Sequence, residues 1–96
     1  MFDAVSIIKK KYGVEIQESI VPDYYGNAVL IAYAIDFEHG IKVIIFGDYY
    51  METVDTRLKF ADDAEGSMEQ LSELVADLES LSNEIKNYFE NLRKKH

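Results

Sequence analysis

The sequence predicts one α+β domain over residues 1–96: a short N-terminal helix, an antiparallel sheet of three to four strands, and a long C-terminal helical segment packed on the sheet. Three observations predict it. Apolar residues recur at three- and four-residue spacing before Gly13, and single-residue alternation takes over after it. The helical spacing then returns from Leu71 to Leu92 without a glycine or proline. A chain of 96 residues can bury one modest core. Its 48% hydrophobic content is too high for intrinsic disorder despite a net charge of −8.

The first helix is read over Phe2–Tyr12 from Phe2, Val5, Ile8 and Tyr12, with Gly13 as a left-handed C-cap. Asp3 at its start and Lys9, Lys10 and Lys11 in its last turn complement the helix dipole. In the next strand Val14, Ile16 and Ile20 share one face, and the turn formers from Pro22 to Asn27 end it. Ala28–Phe37 is the strongest strand. Bulky Val29, Ile31, Tyr33, Ile35 and Phe37 alternate with Ala28, Ala32 and Ala34, which predicts cover on part of each face and a helix seated on the alanines. A hairpin at Glu38-His39-Gly40 leads to a second central strand, Ile41–Phe46, and Gly47-Asp48 is expected to turn the chain. Tyr49–Phe60 is read as one further strand, with a break expected near Asp55 if anywhere.

Ser67 and Gln70 have capping-box spacing, so the long helix is expected to start there. Its stripe is Leu71, Leu74, Leu78, Leu81, Ile85, Tyr88 and Leu92, widened by Val75 and Phe89. Such a helix approaches about 40 Å, whereas a six-residue strand covers only about 20 Å. Either it breaks around Ser80-Leu81-Ser82-Asn83, or its end packs elsewhere. The stripe also satisfies a heptad seam through Leu71, Leu78, Ile85 and Leu92, which leaves a homodimer open.

Chemistry is sparse. No cysteine is present, which removes disulfides, thiolate nucleophiles and cysteine zinc sites and is compatible with a reducing cytoplasm. His39 falls in a hairpin tip and His96 at the end, without metal or catalytic spacing. No phosphate loop or nucleophile elbow occurs, so neither catalytic residues nor a cofactor is expected. The acidic run Asp62-Asp63-Ala64-Glu65-Gly66 lacks the alternating ligands of a calcium loop. A pI near 4.6 argues against nucleic acid or an anionic membrane as direct ligands.

The acid distribution points to a basic protein partner. Glu69, Glu73 and Asp77 fall four apart as one helical ridge, next to Asp62, Asp63 and Glu65, with no lysine interleaved. A ridge of this kind keeps a protein soluble, and it also suits a basic groove that expects phosphates. If it is a free face, its reversal to lysine leaves the fold intact. The two members of Tyr24-Tyr25, and of Tyr49-Tyr50, cannot both point inward from a one-sided sheet, so at least one of each pair is expected at the surface as a binding anchor.

In size, acidity and element order the whole chain resembles the small acidic anti-CRISPR proteins of phages and mobile elements. Some of those have a helix, a three-stranded sheet and C-terminal helices. The resemblance implies a non-enzymatic inhibitor whose carboxylates occupy a nucleic-acid site on a nuclease. Toxin-immunity proteins and small acidic chaperone-like homodimers share the same outline, so those readings stand beside it.

Overall fold

The computed structural model describes residues 2–37, 40–60 and 68–94, with the backbone alone at 60 and 68–71. Helix α1 (Asp3–Tyr12) is followed by β1 (Ile16–Pro22), β2 (Ala28–Asp36), β3 (Ile41–Asp48), β4 (Thr53–Phe60) and helix α2 (Met68–Lys94). Neighbouring strands pair antiparallel in the order β1-β2-β3-β4, so the α+β class and its element order are those the sequence predicts.

Both helices lie on one face of the sheet. Ile31, Tyr33 and Ile35 of β2 and Ile41, Val43 and Ile45 of β3 are buried with Ala4 and Ile8 of α1 and the stripe of α2 in a single core. The period of two sends the intervening residues to the other face, where Ile44 and Phe46 are exposed and Ala32 and Ala34 are half-buried. The expected seat for a helix is therefore wrong at Ala32 and Ala34, whereas Ala28 is buried in the core. Close approach occurs at Gly47 on the bulky face, where a Cβ would stand 2.8 Å from Ile85 Cγ2 and 3.0 Å from Phe89 Cε2. Gly47 and Asp48 continue β3 and do not turn the chain. The turn spans 49–52, where Asp48 Oδ1 accepts from the backbone N–H groups of Tyr50 and Met51. Beyond it β4 is unbroken, with Asp55 paired opposite Phe46.

Helix α2 is one helix of 27 residues with no break at Ser80–Asn83. Ser80 donates its hydroxyl back to the Ala76 carbonyl, and Leu81 is fully buried. The length mismatch resolves simply. Burial runs from Leu74 to Leu92, a rise of about 27 Å, and an eight-residue strand covers about the same distance. Phe89 widens the stripe as expected, whereas Val75 points out and is 43% exposed. The heptad seam is consumed within the domain at Leu78, Ile85 and Leu92.

Helix α1 ends at Gly13, whose φ of 62° is the expected left-handed cap. Its start carries no local side-chain cap. Glu84, eighty residues away on α2, instead accepts the Ala4 backbone N–H at 3.1 Å and so caps α1 from the neighbouring helix. Gly40 has φ 77° beside the β2–β3 connection, where Phe37 N–H donates to the Ile41 carbonyl. The Glu38-His39 part of that loop and the Ser67 cap lie outside the described residues, as do the side chains of Gln70 and Leu71.

Candidate protein interface

The acidic residues of α2 do not form one free ridge. Glu73 and Asp77 face α1, where Lys11 Nζ lies 3.2 Å from Glu73 Oε1 and 3.1 Å from Asp77 Oδ2. Tyr12 donates its hydroxyl to the same Asp77 oxygen at 2.6 Å. The Asp77 side chain is only 20% exposed, while that of Glu73 remains 63% exposed. The cation absent from the local sequence thus comes from the lysine triplet of α1. Asp77 is a bridge between helices, so its reversal to lysine would remove the Lys11 and Tyr12 contacts and weaken the docking of α1. The expectation that reversal leaves the fold intact holds only for acids outside this bridge. Asp62, Asp63 and Glu65 lie outside the described residues, as does the side chain of Glu69.

Burial first, then the hydrogen bond to Asp77, pushes the Tyr12 hydroxyl from its ordinary 10 up to about 12. The hydrogen bonds that Lys11 donates to Asp77 and Glu73 also raise its pKa. Tyr33 is pushed up as well, by burial and by its 2.7 Å bond to Glu18. A group whose folded pKa is raised stabilises fully below the unfolded pKa, and that stabilisation is lost as pH climbs through the folded value. For Tyr12 the window runs from pH 10 to about 12. Near-ultraviolet alkaline titration should therefore show late tyrosinate steps, with Tyr12→Phe and Tyr33→Phe each removing one. Retention of every late step in both variants would contradict the assignment.

The tyrosine pairs tell a different story. Tyr24 is 96% exposed, Tyr25 77% and Tyr50 67%, while Tyr49 turns inward with its ring 5.8 Å from that of Phe89. Arg93 lies over the Tyr49 ring at 5.4 Å and pairs with Glu52. The two turns are built alike. Asp23 Oδ1 accepts from the backbone N–H groups of Tyr25 and Asn27, as Asp48 Oδ1 does from Tyr50 and Met51. A meander places its first and third connections at the same end, so all four tyrosines gather there. Tyr12, Asp77 and Phe37 lie at the opposite end, beside the β2–β3 connection. The structure therefore brings the tyrosines together and separates them from Glu73 and Asp77.

A third component is missing from the sequence reading. The uncovered sheet face carries a row Ser19-Ala32-Phe46-Asp55 beside a row Gln17-Ala34-Ile44-Arg57. The next row toward the tyrosine end begins with Val21 and Leu30. Across the uncovered face, exposed Val21, Ile44 and Phe46, with Met51 in the turn, make an apolar surface that leads toward the tyrosine turns. The signals available were the repeated Asp-Tyr-Tyr at 23–25 and 48–50, and the small Ala32 and Ala34 opposite larger residues. Among the described residues no three carboxylates or histidines converge on a metal position, and no helix is long and apolar enough to cross a membrane. No protein family, curated protein or solved structure matches the chain.

Proposed function

We propose that this protein is a non-enzymatic binding protein that docks on a basic protein surface in the cytoplasm. The supporting observation is the cluster of exposed Tyr24, Tyr25 and Tyr50 beside the apolar open face of the sheet. Tyrosines anchor interfaces because they bury a broad rigid ring and keep a polar tip in contact with water. The net charge of −8 supplies long-range steering toward a basic partner, whereas the tyrosines supply contact. Inhibition of a nucleic-acid-binding enzyme, the class to which the anti-CRISPR resemblance leads, fits both properties. In that reading acids such as Glu73 and Glu69 set the approach, and the aromatic end sets the register.

Affinity capture from cells of the source organism, with Y24A/Y25A/Y50A beside the unaltered chain, tests this. A partner should be retained by the unaltered chain and lost by the triple variant. Raising salt from about 50 to 500 mM shortens the Debye length from about 14 to 4 Å and should weaken capture progressively. A partner indifferent to both changes would remove the proposal. Capture of an acidic toxin partner, or of none, would do the same.

A further inference from the structure

The two edges of the sheet differ. Strand β1 ends in Pro22, has a register irregularity at Val21/Pro22 and places Glu18 on its core-facing side, all devices that discourage pairing. Strand β4 has none of them. It is eight residues long, in unbroken register with β3, and among the described residues nothing pairs with its outer side. A groove runs between this edge and α2. It holds one open cavity of about 200 Å³ bounded by Thr56, Leu58 and Glu79, and another of about 180 Å³ bounded by Val54, Lys86 and Phe89.

We propose that β4 pairs antiparallel with β4 of a second copy, about a two-fold axis at Thr56, to give a continuous eight-stranded sheet. The occupant follows from charge. Asp55, Arg57 and Lys59 lie on the open face, and Val54, Thr56 and Leu58 on the helix face. Antiparallel self-pairing that keeps both faces in register must centre on a residue. Centring on Asp55 sets that carboxylate against its own copy, and centring on Arg57 does the same to the guanidinium. Centring on Thr56 sets Asp55 opposite Arg57 of the second copy, twice, and Lys59 opposite neutral Thr53. Opposite charges directly across a ladder stabilise it and like charges oppose it, so the register is chosen.

The helix face is compatible in shape. The same axis pairs Val54 with Leu58 of the second copy, so the cavity at Val54 meets the cavity at Leu58. Lys86 and Arg93 border the first together with Glu52 and Glu90, and Glu79 borders the second, so the charges that choose the register are those of the open face. Asp55 and Arg57 carry opposite signs placed symmetrically about Thr56, so they complement their own rotated image, as a two-fold interface demands.

The test is sedimentation of the full chain in about 150 mM salt, where a Debye length of about 8 Å screens the net repulsion. The unaltered chain should sediment at twice its 11.0 kDa mass. Asp55→Arg alone and Arg57→Asp alone should each weaken dimerisation by about tenfold or more. The double variant D55R/R57D should restore it. Mixing the two single variants should form a heterodimer, because every pair across the axis is then opposite in charge. Asp55 and Arg57 are exposed, so these variants should keep the fold, with circular dichroism as the check. Thr56→Cys gives a second route in a chain without cysteine. Its two copies would sit about 5 Å apart across the axis and should oxidise to a covalent dimer. Thr53→Cys, about 20 Å from its own copy, should not. A monomer throughout, or a dimer unaffected by both charge changes and not linked through T56C, would overturn the proposal.

Discussion

Phe89→Ala should destabilise the domain by about 3–5 kcal/mol, the usual cost of truncating a buried aromatic. Phe89 is 2% exposed and sits where α2, β3 and the β3–β4 turn meet. Its ring meets Tyr49 edge-on at 5.8 Å and lies over the bare backbone of Gly47. A domain of this size has a total stability of about 5–15 kcal/mol, so the loss is a large share of the whole. Urea denaturation followed by circular dichroism measures it through the midpoint. Leu81→Ala, also fully buried, should cost about 2–5 kcal/mol. A loss below about 0.5 kcal/mol at both positions, the range of ordinary surface substitutions, would mean that α2 does not close the core.

Gly47→Val should cost about 3 kcal/mol, at the upper end of overpacking penalties. The reason is geometric. A Cβ at Gly47 would already stand 2.8 Å from Ile85 Cγ2, a methyl on a stiff β-branched side chain of the helix. The helix must move or the side chain must leave its rotamer. Gly47→Ala should cost less, about 1–2 kcal/mol, because it adds one carbon to the same contact. Ile85→Ala removes the obstructing methyl, so G47A/I85A should be more stable than the sum of its single changes predicts. Strict additivity would place the clash elsewhere.

The sequence by itself determined the element order, because periodicity and punctuation are local properties. Gly13 ends α1, the Pro22–Asn27 turn formers separate β1 from β2, and the stripe from Leu74 to Leu92 specifies an amphipathic helix. Each follows from local residue type and spacing. It also showed that at least one tyrosine of each adjacent pair must reach the surface, as Tyr50 does beside Tyr49 and as both Tyr24 and Tyr25 do. What only the tertiary structure decided is which faces and charges meet. Ala32 and Ala34 read as a seat for a helix, yet the helices chose the bulky face, and Gly47 admitted α2 there. Alternation specifies two faces and does not say which will be covered. The ridge at Glu73 and Asp77 read as unrelieved because its cation, Lys11, is more than sixty residues away. The cap of α1 at Glu84 is equally distant in sequence. The gathering of both Asp-Tyr-Tyr turns at one end, and the free edge of β4, follow from strand order, a long-range property that the local pattern of residues does not encode.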